Sequence, residues 1–206
     1  MIRAFAHGII LAFGLILPLG VQNIFVFNQG ATQRTLRRAL PAILMAGFCD
    51  MLLITLAVLG VSLLMFSFAW LKISVFIIGF FFLLYMGWAT WNSKPGEKKE
   101  EPVSLSGKKQ VIFAASVSLL NPHAIVDTIG VIGTNSLAYA GKEKWTFTLA
   151  CILVSFIWFF ALAIMGKMMR SLDHSGRWMK TMNRLSALLI WGVAVYMAVQ
   201  LLYNSF

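Results

Sequence analysis

LPLGVQN, residues 17–23, interrupts a stretch that is otherwise largely apolar from Ala4 to Phe27. A run of that length is enough to cross hydrocarbon, which takes roughly 20 residues as a helix. Inside lipid a helix satisfies its own backbone, and Pro18 removes part of that ladder. Gln22 and Asn23 then add two carboxamides that would be expensive to leave unpaired against lipid. The stretch therefore reads as a membrane helix broken where it borders a polar cavity. A second stretch, LLNPHAIVD at residues 119–127, repeats the device with Asn121, Pro122, His123 and Asp127.

The bulk of the chain agrees. Of its 206 residues 60 % are apolar and only 12 % charged, and the mean hydropathy is +0.83. Soluble chains carry about a quarter charged residues, so an integral membrane protein is expected, with little room for a soluble domain. The net charge of +10 sits mostly between apolar runs, where it sets topology rather than binding nucleic acid. Cys49 and Cys151 both lie in apolar runs and read as core thiols. Arg3 ahead of the first run hints at a signal peptide, but no small-residue cleavage site follows, so the run is expected to stay as a span.

Six candidate spans follow: Ala4–Phe27, Leu40–Met65, Trp70–Trp91, Val111–Leu137, Trp145–Met165 and Leu185–Tyr203. The expected fold is an all-α polytopic membrane domain over 1–206. It divides into a three-helix repeat over 1–92, a charged linker over 93–110 and a second three-helix repeat over 111–206. Three spans per half give the halves opposite orientations, and each half opens with a Pro-broken helix, the arrangement of inverted-repeat carriers. Thirteen of the 17 lysines and arginines fall in the loops after spans one, three and five. Those loops are expected in the cytoplasm and both termini outside. Were span three or four re-entrant, the count would be five.

Two acids lie within spans, Asp50 in the second and Asp127 in the fourth. A carboxylate at that depth costs several kcal/mol or more unless paired or hydrated. Each is either a structural acid tying helices together or a group that attracts a cation or carries a proton. His123 is either held by a hydrogen bond at the break or takes part in proton movement. A helix amino end favours a carboxylate, while an acid favours an ammonium or guanidinium. Together they suit an amino acid. No paired histidines, cysteine pair or nucleotide-binding loop is present, so no metal site, cofactor or ATP-driven step is expected.

Three motifs carry a resemblance. Pro18-Leu19-Gly20-Val21-Gln22-Asn23 with the following Phe25-Val26-Phe27-Asn28-Gln29-Gly30, then Gly47-Phe48-Cys49-Asp50, then Leu120-Asn121-Pro122-His123-Ala124-Ile125-Val126-Asp127-Thr128 resemble, in order, those of the LysE/ArgO family of amino acid exporters, in its basic amino acid branch. The resemblance implies export of L-lysine or L-arginine across the bacterial inner membrane, driven by an ion gradient rather than by ATP. A counter-moving proton is the coupling ion expected for a cation leaving against an inside-negative potential. The resemblance places Pro18, Gln22, Asn23, Asp50, Asn121, Pro122 and Asp127 on the path. The chain departs from the family at Val21, where a second Pro is common, which bears on local geometry and substrate choice. A homodimer is compatible with a small carrier. Rival readings are an exporter of neutral amino acids or another metabolite, a passive channel, a membrane assembly factor without transport, and an intramembrane enzyme, for which no nucleophile–base pair stands out.

Overall fold

The computed structural model describes residues 1–17, 20–60 and 105–172, with scattered positions over 74–92 and 181–199. All regular structure among the described residues is helical. In chain order the elements are α1 (Ile2–Ile16), α2 (Val21–Thr32), α3 (Leu36–Val58), α4 (Gly107–Leu119), α5 (Pro122–Asp127), a π-helix (Thr128–Gly133), α6 (Thr134–Ser136) and α7 (Gly141–Leu172).

Several boundaries differ from those expected. The first span is two helices, α1 and α2, whose axes lie 82° apart, because the chain leaves helical geometry at Gly20 (ψ 172°) before α2 begins. Asn28–Thr32, expected in the following basic loop, continues α2. The second span begins at Leu36 rather than Leu40 and is 23 residues long. Gly60 takes the left-handed conformation (φ 76°) that ends a helix without a side-chain clash, and its N–H bonds the Ala57 carbonyl. The expected end at Met65 lies outside the described residues. The fourth span is α4, a break, then α5, the π-helix and α6. The fifth is longer than expected, 32 residues. The linker over 93–110 gives way to helix at Gly107, and 93–104 lie outside the described residues. Spans three and six are described only in part. There Trp191 donates from Nε1 to the Leu84 carbonyl at 3.3 Å and stacks on Trp91.

Among the described residues, α3 and α7 are each long and apolar enough to cross a bilayer, and the bent α1–α2 pair qualifies as a third span. Exposed Leu44, Phe48 and Leu52 form a stripe on α3, and Trp145, Leu149, Leu153 and Ile157 form one on α7. Stripes at this four-residue spacing suit a lipid-facing side rather than a water-facing one.

The interior is built from small residues. α1 and α2 lie against α7, α4 and the π-helix lie against α3, and α3 and α7 pack on each other. Ala39, Ala42, Ile43 and Ala46 of α3 meet Ala114 of α4 and Phe159, Leu162 and Ala163 of α7 in one buried cluster. A second cluster joins Ala4 and Ala12 to Ile54, Val58, Ile132, Phe147, Cys151 and Val154. Small side chains let membrane helices approach to backbone contact. At Gly30 and Gly166 a Cβ would fall on the Ala163 backbone and the Phe27 carbonyl respectively. The α2–α7 crossing therefore requires glycine on both sides.

The two ends differ. At one, the close of α2, the start of α3, the start of α4 and the close of α7 meet, and Arg34, Arg37, Arg38, Lys108, Lys109 and Lys167 are exposed nearby. At the other, Tyr139 Oη and His7 Nδ1 are 2.8 Å apart, with Phe147 stacked on Tyr139. The first is called the basic end below.

Candidate functional site

The two carboxamides that follow the first break do different things. Asn23 Nδ2 donates to the Ile16 carbonyl at 2.8 Å, across the break. It satisfies an acceptor that α1 leaves open where its helix stops, so Asn23 staples α2 to α1 rather than only lining a cavity. Gln22 faces the other way. Its Nε2 donates to Asp50 Oδ1 at 3.0 Å and more distantly to the Ala46 carbonyl at 3.4 Å, both on α3. Gln22 and Asn23 are both buried. The pairing of two carboxamides in sequence thus becomes a bracket: one arm holds the break, the other reaches the acid of the next span.

Asp50 has a second neighbour. Ser155 of α7 lies close to its carboxylate, and Ser155 is 4 % exposed. A carboxamide of α2 and a hydroxyl-bearing residue of α7 thus face one acid of α3. Beside it, Cys49 contacts the Ser118 hydroxyl of α4, and Ser118 in turn donates to the Ala114 carbonyl at 2.8 Å. Nothing in the sequence pointed to Ser155 beside Asp50. A lone serine in an apolar helix usually bonds its own preceding turn, as Ser118 does, so the signal for Ser155 was absent.

The second break is built differently. Asn121 precedes a proline, which disfavours helical geometry, and it is extended (φ −92°, ψ 97°). Its side chain makes no capping bond. It is 7 % exposed, and its carboxamide oxygen is buried without a partner. Helix resumes at Pro122, suited to a first turn by its missing N–H, and after Asp127 widens into the π-turns of Thr128–Gly133. π-turns in a helix often mark functional positions. Here Gly133 comes close to the Ala57 carbonyl of α3, and Thr128 donates to the Ala124 carbonyl at 2.7 Å.

Of the residues expected on a path, Gln22 and Asp50 form one bonded group, with Asn23 beside it. Asn121 and Asp127 belong to the second break, and Asp127 is half-buried there. Pro18 and the side chains of Pro122 and His123 lie outside the described residues. Trp158 of α7 meets Phe13 edge-on, and its buried indole N–H has no acceptor. Both cysteines are buried free thiols.

Comparison with known proteins adds the context. The family model of the LysE type translocator matches residues 13–201. A protein of Bacillus subtilis (strain 168), "Putative amino-acid transporter YisU", is 55 % identical over 98 % of this chain and 92 % of its own length. The arginine exporter protein ArgO of Pectobacterium carotovorum subsp. carotovorum (strain PC1) is 32 % identical, covering 96 % of this chain and 98 % of its own. ArgO of Salmonella paratyphi B is also 32 % identical, over 96 % and 94 %. No solved structure matches the chain.

Proposed function

The chain belongs to the LysE type translocator family, and from that membership we propose that it exports basic amino acids, L-arginine or L-lysine, from the cytoplasm across the bacterial inner membrane. The observation that carries the proposal is Asp50, an acid within a span, held by Gln22 from the broken first span and close to Ser155 of α7. A carboxylate is kept at such depth when something cationic visits it. Arginine export by the ArgO relatives supports the basic substrate. The wider reading, amino acids in general, is what the name of YisU supports.

In this mechanism the guanidinium or ammonium of the side chain meets Asp50 and displaces Gln22. The amino end of α2 lies beside it and favours the substrate carboxylate. Asn121 Oδ1 and the Trp158 N–H are buried and unpaired. A buried polar atom without a partner calls for an explanation, and a zwitterion supplies both an ammonium donor and a carboxylate acceptor. Asp127, and His123 beside Pro122, serve the second half of the path. A cation leaving a cell that is negative inside works against about 2.3 kcal/mol per 100 mV, so export requires a coupling ion, and a proton moving inward fills that role.

The packing supports the inverted-repeat reading, with halves 1–92 and 111–206 joined by 93–110. Span one packs on span five, and span four packs on span two. That exchange is what a two-fold relation between oppositely oriented halves produces. One sequence shift carries Pro18 onto Pro122, Ile43 onto Phe147 and Ala46 onto Ala150. Ile43 and Ala46 belong to the cluster around Ala114 of α4, while Phe147 and Ala150 receive Gly8 of α1. In this topology the basic end faces the cytoplasm and the termini face outside.

The test is flux from proteoliposomes loaded in turn with radiolabelled arginine, lysine and leucine, with and without an imposed proton gradient. Gradient-dependent movement of arginine or lysine in preference to leucine is the expected result. Leucine moving as fast as either basic amino acid contradicts the substrate assignment, and gradient-independent downhill flux contradicts proton coupling.

A further inference from the structure

The basic end holds a cluster that the transport site does not use. Gln33 is 2 % exposed and Gln110 is 1 % exposed. Their amide nitrogens converge on one acceptor, the Leu105 carbonyl, at 3.0 and 2.9 Å. Gln110 Nε2 also donates to the Arg38 carbonyl at 2.9 Å, and Gln33 Nε2 to Gln29 Oε1 at 3.2 Å. From α7, Arg170 Nη1 donates to the Thr32 and Gln33 carbonyls, the last acceptors of α2, at 3.1 and 3.2 Å. One of these bonds, Gln33 to Leu105, ties α2 to the segment that starts α4. Arg170 holds α7 to α2, and Gln110 holds α4 to the start of α3. All of them lie at the end where the basic residues lie.

We propose that this cluster is a gate at the basic end, closed in this structure, and that α2 couples it to Asp50. The inference rests on the transport reading for its purpose, though not for its geometry. Three observations carry it. The bonded groups join the same two sets of helices that meet at Asp50, so parting those sets breaks Gln22–Asp50 and Gln33–Leu105 together. α2 is a single rigid helix of 12 residues, about 18 Å long at 1.5 Å per residue, with the Asp50 contact in its first turn and the gate contact just past its last. Its glycine contacts at Gly30 and Gly166 fix it to α7, so motion at one end is carried to the other. Finally, Gln110 Oε1 is buried with no partner. A buried network left one bond short is less stable closed than a fully satisfied one. Water entering on opening supplies the missing bond, which narrows the gap between closed and open states.

Cys49, buried beside Asp50, reports on the gate once Cys151→Ala leaves it as the single thiol. Inside-out and right-side-out membrane vesicles are treated with a membrane-impermeant methanethiosulfonate, without substrate. Gln33→Leu is expected to speed Cys49 labelling from the basic face by about tenfold, the weight of one lost hydrogen bond across the gate, with no change from the opposite face. Gln33→Asn, whose shorter side chain falls short of the Leu105 carbonyl, serves if Gln33→Leu does not fold, and is expected to speed labelling in the same direction. Unchanged labelling from the basic face in the folded variants overturns the gate, and so does equal acceleration from both faces, which is the mark of a loosened fold. Adding arginine separates the two readings: if the variants accelerate labelling but arginine does not alter it, the gate stands and the substrate assignment falls.

Discussion

The two broken helices begin from the same sequence device, a proline beside carboxamides, and finish differently. The first break is knitted shut. Asn23 takes the carbonyl that α1 leaves open, and Gln22 is spent on Asp50. The second break keeps capacity in hand, because Asn121 caps nothing, its oxygen has no partner, and the helix beyond Asp127 loosens into π-turns. The two breaks thus differ in the bonding capacity they leave open. On our reading, the first break fixes geometry and presents the acid, and the second offers bonding groups to something that comes and goes.

Glycine substitution breaks the comparison at its most rigid point. Gly30→Ala puts a Cβ into the Ala163 backbone. Neither helix can yield there without moving the whole α2–α7 crossing, so a loss of ~3 kcal/mol or more is expected from overpacking. Gly133→Ala, in the second broken helix, meets the Ala57 carbonyl at 3.2 Å, a contact that a small shift relieves, and a loss of ~1 kcal/mol or less is expected. Thermal unfolding in detergent ranks the pair. Equal losses would mean that the second helix is held as tightly as the first.

The asparagines sharpen it. Asn23→Leu takes from the Ile16 carbonyl its carboxamide donor across the break, at about 1–3 kcal/mol, or several degrees in melting temperature for a chain of this size. Asn121→Leu removes no bond from its carboxamide oxygen, so a change in stability within ~0.5 kcal/mol is expected, while arginine flux falls by about tenfold if that oxygen contacts substrate. Stability and flux measured on the same preparations decide the matter. An Asn121→Leu protein as unstable as Asn23→Leu, or one with unchanged flux, would remove the distinction between the breaks.

Much of this was legible in the sequence. Pro18 with Gln22 and Asn23, and Pro122 with Asn121, announced both breaks because their chemistry has few uses inside lipid. Asp50 stood out for the same reason. α3 and α7 followed from length and hydropathy, with ends shifted by several residues. What escaped was whatever depends on how helices face one another. Gln33 and Arg38 were read as basic loop, since a carboxamide among arginines looks solvated until tertiary packing buries it. Gln110 closed the expected linker for the same reason. Ser155 is one hydroxyl in an apolar run, and only the α3–α7 crossing turns it toward Asp50. The bend between α1 and α2 was foreseen as a break, while its size depends on the packing of each half against α7.

The claim on which the account turns is that Asp50 receives the cationic end of the substrate. Its most direct test is binding of radiolabelled arginine to purified protein, wild type against Asp50→Asn, with folding of both checked by thermal unfolding. Removing one partner of a buried charge pair costs about 2–5 kcal/mol, so affinity is expected to fall by about 30-fold or more while the protein remains folded. A folded Asp50→Asn protein that binds arginine within about twofold of wild type, a difference of only ~0.4 kcal/mol, would contradict the account.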